Sequence, residues 1–206
     1  MCGAAMSGTN TVVETPVVAS EPKRLPGEPG LWVFLFGDMV VFGIFFVYFL
    51  VERGKAPEVF ESSREGLDLT IGLTNTMILL TSSLLVVIGL QGVRTGRFTN
   101  ASKMFALAMG CGVLFAIFKA IEYTHMVTSD HGPGVNPYYQ WFFILTGTHL
   151  FHVFIGIGAL SLVLKRARRK VEPTGSDRMF YEGCTCYWHL VDLLWMVLFP
   201  LVYLVA

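Results

Sequence analysis

The sequence predicts an all-α, polytopic membrane protein, a bundle of five transmembrane helices, on three observations. Of the 206 residues, 53% are hydrophobic and only 15% are charged, whereas soluble domains carry about 25% charged residues. The apolar residues are gathered in five long runs, each close to the roughly 20 residues that a membrane-spanning helix needs. Strands of a membrane barrel would alternate in hydrophobicity over about 10 residues, so these runs favour helices.

Two regions follow one another along the chain. Residues 1–28 are polar, small and Pro-containing, and we expect a disordered cytoplasmic tail there, without a cleavable signal peptide. The region 29–206 is predicted to form one transmembrane domain, whose first span opens directly after Pro29 and Gly30. The five predicted spans are about 31–51, 69–90, 103–127, 138–164 and 187–205.

Lys and Arg are distributed unevenly between the two sides of the membrane. The tail, the second loop and the fourth loop carry two, three and six of them, whereas the first loop carries three and the other external segments none. Because positive charge collects on the cytoplasmic side, we expect the N-terminus in the cytoplasm and the C-terminus outside. Aromatic residues near the span ends are predicted to lie at the membrane interfaces. They are Trp32, Tyr138, Tyr139, Trp141 and Tyr203.

Composition and spacing exclude several classes of protein. Fifteen basic residues are balanced by fifteen acidic ones, whereas a nucleic-acid-binding protein would show a basic face. Four cysteines in 206 residues are too few for a secreted disulfide scaffold. Cys184 and Cys186 have the wrong spacing for a zinc pair, and a single Glu-x-x-His motif, Glu122 to His125, argues against a di-iron bundle. We predict no catalytic, metal-binding or cofactor-binding residues in this chain.

Seven ionisable residues inside the predicted spans form the candidate functional site. A charge at the middle of a bilayer costs about 2.5–3.5 kcal/mol on insertion scales, so each residue needs a partner or a function. Most of them are three residues apart and share one helix face, which predicts an intramembrane polar network in the bundle interior. The residues are Asp38, Lys119, Glu122, His149, His152, His189 and Asp192.

For these residues the sequence is compatible both with structural pairing and with a functional role, such as proton handling. Lys119 can neutralise Glu122, or this pair can handle protons. His189 can donate to Asp192 or to Asp38. The two histidines of the fourth span favour hydrogen bonding between helices, with a proton, lipid or metal role as the alternatives. The carboxyl group of Asp38 is equally compatible with a structural and a functional role.

Five motifs occur in an order that is typical of one family. They are Gly37-Asp38-Met39 in the first span, Asn75-Thr76 in the second, Glu122-Tyr123 in the third, T-G-T-H-L-F-H-V at 146–153 in the fourth and Y-W-H-L-V-D-L-L-W at 187–195 in the fifth. With them, residues 29–206 resemble subunit III of the haem–copper respiratory oxidases, the cytochrome c oxidase subunit III family. The resemblance is to a short bacterial form, whose five helices match the last five of the classical seven.

The resemblance implies a subunit of an oxidoreductase complex in the bacterial plasma membrane, not catalytic by itself. It would pack against the catalytic subunit I, which holds the haems and the copper, and support its assembly, stability and proton uptake in aerobic electron transport. Phospholipid binding is implied as well. The family has a buried carboxylate at the position of Asp38, which implies a proton-related role, and usually a neutral amide at that of Lys119. The positions that match the family directly are Glu122, His149, His152, His189 and Asp192.

One branch of this resemblance points to a different complex. The leader L-P-G-E-P-G-L-W at 25–32 resembles the subunit-III-like accessory protein of bacterial nitric oxide reductases. The sequence therefore leaves open whether the terminal acceptor is oxygen or nitric oxide. The electron donor, cytochrome c or quinol, and the haem type are open as well.

Two further hypotheses belong to other classes of protein. An autonomous electron carrier would hold haem between His149 or His152 on one helix and His189 on another. A small proton transporter would use Asp38 with the Lys–Glu pair of the third span. Inverted repeats would support a transporter, and the sequence shows none.

Overall fold

The computed structural model describes residues 29–64, 66–169 and 174–205, so the predicted tail at 1–28 lies outside the described residues. Within them helices are the only regular secondary structure, joined by short turns and loops, which confirms the all-α prediction. The helices are α1 (Pro29–Lys55), α2 (Pro57–Arg64), α3 (Leu69–Arg94), α4 (Phe98–Thr128), α5 (Pro137–Arg168) and α6 (Gly175–Phe199), followed by a π-helical segment (Pro200–Val205).

Five of these helices are long and apolar enough to cross a membrane, as predicted. They are α1, α3, α4, α5 and α6 with its π-helical segment, and they contain 26 to 32 residues. At 1.5 Å per residue such helices measure about 39–48 Å, more than the roughly 30 Å of the hydrocarbon core. Each helix is therefore long enough to cross the hydrocarbon core, and the described chain is a multi-pass membrane protein.

The last transmembrane helix begins twelve residues before the predicted span, at Gly175 rather than 187. The reason is a capping box, a reciprocal pair of hydrogen bonds that satisfies free N–H groups at a helix start. The Thr174 hydroxyl accepts from the Asp177 N–H at 3.4 Å, and the Asp177 carboxylate accepts from the Thr174 N–H at 3.2 Å. The first turns of this helix contain polar residues, so hydrophobicity alone does not predict that the helix begins at Gly175.

Helices α3, α4, α5 and α6 form a four-helix bundle, in which each helix packs against its two neighbours. Trp188 of α6 fills the interior where two glycines leave room for its ring. A Cβ atom on Gly112 or on Gly156 would lie 2.7 Å from a ring atom of Trp188. The indole N–H donates to Ser82 Oγ at 3.1 Å, and this hydroxyl donates to the Ala108 carbonyl at 2.9 Å. Small residues at such contacts let membrane helices approach closely.

Helix α1 lies outside this bundle, against α5 and α6, and the short α2 packs on α5. The C-terminal end is held by side chains from two other helices. Arg64 of α2 donates to the Leu204 carbonyl at 2.8 Å, and the Tyr138 hydroxyl of α5 donates to the Val202 carbonyl at 3.1 Å. Pro200 has no N–H to continue the regular α-helical ladder, and the π-helical turns begin there.

Three of the aromatic residues expected at membrane interfaces are buried instead. Tyr138, Tyr139 and Tyr203 are at most 4% exposed. Their hydroxyl groups find partners inside the protein, such as the Ser63 carbonyl for Tyr139 at 3.3 Å. Position near a span end is the same for a tyrosine that faces lipid and for a buried one, so the sequence did not reveal this burial.

Candidate functional site

Asp38 and His152 form the first link of the polar interior. Asp38 Oδ1 lies 3.0 Å from His152 Nε2, and both side chains are only 11% exposed. The other ring nitrogen, Nδ1, lies 2.7 Å from the Thr148 carbonyl oxygen, one turn earlier on α5. The ring of Phe42 covers the imidazole edge-on at 5.3 Å. We call this arrangement the Asp38–His152 pair, and it joins α1 to α5.

The hydrogen bonds of this pair fix how many protons it holds. A carbonyl oxygen can only accept, so Nδ1 must carry a proton that it donates to Thr148. A hydrogen bond between Nε2 and Oδ1 then needs one further proton, which sits either on the imidazole or on the carboxyl group. The pair as a whole is electrically neutral in both arrangements, and the proton can move between the two atoms without changing the buried charge.

Lys119, Glu122 and Tyr203 form a second cluster, which we call the Lys119 triad. Lys119 Nζ donates to Glu122 Oε2 at 2.7 Å and to the Tyr203 hydroxyl at 2.7 Å. The Tyr203 hydroxyl in turn donates to Glu122 Oε1 at 2.5 Å. The Lys119 side chain is fully buried and that of Glu122 is 5% exposed. Charged partners strengthen such hydrogen bonds, so the triad ties the C-terminal segment to α4.

Aromatic rings complete the surroundings of the Lys119 ammonium group. Nζ lies 4.7 Å from the ring centre of Trp195 and 5.2 Å from those of Phe142 and Tyr203. A cation is attracted to the face of an aromatic ring, most strongly to that of tryptophan. The α5–α6 side of the bundle thus accommodates a buried cation without a second carboxylate.

His189 and Asp192 belong to a third cluster, between α6 and α3. His189 Nδ1 lies 2.7 Å from the Ser83 hydroxyl of α3, and the carboxyl group of Asp192 lies close to both groups. The hydrogen-bond partner of His189 is thus Ser83, and Asp38 bonds His152 instead. Sequence reasoning missed Ser83, although its place three residues before Val86 and one after the buried Ser82 puts it near the inner face of α3.

His149 stands apart from these clusters. It is fully buried, and neither of its ring nitrogens has a hydrogen-bond partner within the described part of the chain. Its ring packs against Phe115 at 5.7 Å and Trp195 at 5.1 Å between ring centres. The predicted i, i+3 face of α5 is present, but its two histidines have different environments, since only His152 is bonded.

Two cavities lie close to the polar residues described above. One of about 210 Å³ lies next to Glu122 and is lined by Asp68 and His125 among others. The other, of about 420 Å³, lies between α1, α5 and α6, where Leu31 and Phe34 are among its apolar lining residues and Arg166 and Asp177 are among its charged ones. In the described residues no group of three or more His, Cys, Asp or Glu side chains is placed to hold a metal ion.

Comparison with known proteins agrees with this architecture. The family model of cytochrome c oxidase subunit III matches residues 27–206, nearly the whole chain. The chain belongs to this family. Cytochrome c oxidase subunit 3 of Synechocystis sp. is 30% identical over 175 residues, which cover 85% of this chain and 74% of the relative. Its counterpart in Thermostichus vulcanus is 30% identical over 177 residues and 86% of both chains.

A third relative carries a different donor in its name. The probable quinol oxidase subunit 3 of Staphylococcus haemolyticus is 29% identical over 178 residues, 86% of this chain and 88% of the relative. Together these matches confirm the predicted family and identify a subunit III of haem–copper oxidase type. Neither the family model nor these relatives supports the nitric oxide reductase alternative.

Proposed function

We propose that this subunit III supports the assembly, stability and proton uptake of the catalytic subunit I of a respiratory oxidase in aerobic electron transport. The observation that supports this role is the pairing of ionisable groups across helices. The Asp38–His152 pair holds α1 against α5, and the Lys119 triad holds the C-terminal segment against α4. A bundle fixed in one packing offers its partner an unchanging apolar surface.

Haem and copper belong to the partner subunit in this proposal, and this chain binds neither. His152 already uses both ring nitrogens, one towards Asp38 and one towards the Thr148 carbonyl, and His189 uses Nδ1 towards Ser83. An autonomous electron carrier that used His152 as a ligand would have to break one of its two bonds. Hydrogen bonding between helices accounts for His152 and His189 without a cofactor.

A proton-related role is proposed for Asp38. The pair that it forms holds one proton between two nearly buried atoms, and this proton can move between carboxyl group and imidazole without a change in the net charge of the pair. Glu122 has a comparable position next to the 210 Å³ cavity, but its carboxylate is neutralised by Lys119 at 2.7 Å. A structural role is therefore proposed for the Lys119 triad.

Phospholipid is the proposed occupant of the 420 Å³ groove between α1, α5 and α6. Its apolar lining suits an acyl chain, and the guanidinium of Arg166 suits a phosphate. The Arg166 side chain is already oriented there, because its guanidinium lies 3.6 Å from the ring centre of Phe180. The proposed location is the bacterial plasma membrane, with the N-terminus in the cytoplasm.

Purification through a tag on this chain tests the proposed role. The tag belongs at the N-terminus, because Tyr203 near the other end is part of the Lys119 triad. After mild detergent extraction, we expect a larger catalytic subunit and its haem spectrum to copurify, with the untagged strain as the control. Oxygen and nitric oxide consumption, with cytochrome c or a quinol as donor, then identifies the reaction.

The other outcomes of this purification exclude the proposal in different ways. Haem that stays with this chain after its partners are removed would establish the electron carrier. A colourless chain without partners, after extraction that leaves other respiratory complexes intact, would contradict a subunit role. Nitric oxide reduction without oxygen reduction would select the accessory protein of a nitric oxide reductase.

A further inference from the structure

The interior of the bundle contains buried polar atoms that no protein group satisfies. Both ring nitrogens of His149 and both amide atoms of Asn75 lack a hydrogen-bond partner in the described residues. Both side chains are completely buried. Leaving such a group unpaired costs about 1–3 kcal/mol, and buried polar groups in proteins are nearly always bonded to protein or to ordered water. These four atoms therefore indicate a ligand.

The two unpaired side chains belong to one layer of the bundle. Ser82 of α3 bonds the Ala108 carbonyl of α4, and Gly92 packs against Ala101. Because α3 and α4 are antiparallel, this register places Asn75 opposite the turn of α4 at 115–119.

The other three members of the layer are in direct contact. Phe115 of α4 and Trp195 of α6 pack edge-on, with ring centres 4.9 Å apart, and both contact the ring of His149 on α5. Thr76, the neighbour of Asn75, accepts a hydrogen bond from the Trp195 N–H at 3.1 Å. The layer thus has one residue from each of the four helices, two aromatic and two polar.

The chemistry of the layer selects the ligand. A cation is disfavoured, because the Lys119 ammonium group lies only 4.7 Å from the ring of Trp195 that His149 also contacts. An imidazole offers one donor and one acceptor, and an amide offers two donors and an acceptor. Water matches both, since it donates and accepts, and a buried water typically makes two to four hydrogen bonds.

We propose that this bundle binds ordered water at His149 and Asn75 as an integral part of its structure. The position of His149 places this water between two polar clusters. On α5 it lies one turn from His152 of the Asp38–His152 pair, and through Trp195 it adjoins the Lys119 triad. Water at His149 would lie between two polar clusters that no hydrogen bond joins within the described residues. The proposal is independent of the partner and reaction of the complex.

A high-resolution electron cryomicroscopy map of the purified complex is the direct test. We expect density for water within about 2.7–3.2 Å of a His149 ring nitrogen, with Asn75 or Lys119 as a second partner. The waters elsewhere in the same map serve as the control for resolution. Ring nitrogens without water in such a map, or a His149 ring turned to bond a protein group directly, would overturn the proposal.

Two substitutions test the same site by stability. His149→Gln keeps a donor and an acceptor for water, and we expect its melting temperature to stay within about 2 °C of wild type. His149→Phe removes both, strands the partners of the water, and should melt about 2–4 °C below the glutamine variant for each kcal/mol lost. A dry imidazole predicts the reverse, because an apolar ring of similar shape is neutral or stabilising there. If neither variant assembles, the wild-type map decides.

Discussion

Asp38 of α1 and His152 of α5 face each other with 3.0 Å between Oδ1 and Nε2. This pair anchors α1, which is the least buried of the five transmembrane helices. In the apolar 18-residue stretch of α1, only 17% is buried inside the protein, whereas the corresponding share is 56% in the last transmembrane helix. A helix with so little buried surface depends strongly on each specific contact. The polar pair therefore adds a specific contact to the apolar packing of Phe42 and Phe49, whatever its proton does.

Substitution of Asp38 separates the structural from the proton-related role. Asp38→Ala leaves His152 Nε2 buried without a partner, at a cost of about 1–3 kcal/mol, and we expect less subunit in the purified complex and a shorter active life. Asp38→Asn can still donate to Nε2 and should assemble like wild type. Its proton uptake during turnover, measured beside its initial rate, reports the role of the exchangeable proton.

The initial rate of the complex tests whether Asp38 supports the catalytic subunit rather than taking part in its reaction. We expect little change in it for either variant, because the reacting centre lies in the partner subunit. A large fall in the initial rate of a fully assembled Asp38→Ala complex would contradict a supporting role. Unchanged proton uptake and active life in Asp38→Asn would limit Asp38 to holding α1.

The Lys119 triad predicts a non-additive effect on stability. Lys119→Met leaves the Glu122 carboxylate buried without its cation, and breaking a buried pair in this way costs about 3–5 kcal/mol. The double variant Lys119→Met, Glu122→Gln removes both charges and should recover most of this loss. Melting temperatures of the two single variants and the double variant, measured as a cycle, give the coupling. Additive losses would show that the two groups do not stabilise each other.

Hydrophobic runs and charge counts were sufficient to predict five transmembrane helices, because span length and composition are set by the bilayer. The i, i+3 spacing also placed Lys119 and Glu122 on one face, where the structure brings them together. Spacing within a helix acts locally and can be read from the sequence. Partners on other helices depend on rotation and register, so the bonds of His152 to Asp38 and of His189 to Ser83 could not be assigned.

Tyr203 shows the same limit in a different form. It lies near the end of a span, where interfacial tyrosines are common, yet its hydroxyl is a central member of the Lys119 triad. The π-helical turns after Pro200 change the direction of side chains relative to a regular helix, and no hydrophobic pattern in six residues reveals this. The short α2 and the polar first turns of α6 were likewise invisible to hydropathy.

Glycine-to-alanine substitutions next to Trp188 should lower stability, whereas the same substitutions elsewhere on these helices should not. Gly112→Ala and Gly156→Ala each place a Cβ atom 2.7 Å from a ring atom of Trp188, and overpacking of this kind costs about 1–3 kcal/mol. Gly110→Ala and Gly158→Ala lie on the same two helices with nothing within 4 Å of the new Cβ atom. We expect these control variants to be neutral or stabilising, because alanine favours a helix over glycine by about 1 kcal/mol.

Thermal unfolding of the four glycine variants checks this packing. Lower melting temperatures for the first two variants only would support the close contact of α4 and α5 with Trp188. Equal melting temperatures for all four would mean that the interior can relax around the added methyl group, contrary to a tightly packed bundle.

Membrane orientation is predicted from the uneven distribution of Lys and Arg, and the structure supplies positions to test it. Arg94, the last residue of α3, and Glu182 near the start of α6 form a salt bridge of 2.7 Å, so the second and fourth loops lie at the same end of the bundle. In a cysteine-free chain, a cysteine at Arg97 should react with a membrane-impermeant maleimide only after cells are permeabilised. A cysteine at Glu58 of α2, at the other end, should react in intact cells. The opposite labelling pattern would place the basic loops outside and contradict the positive-inside rule for this chain.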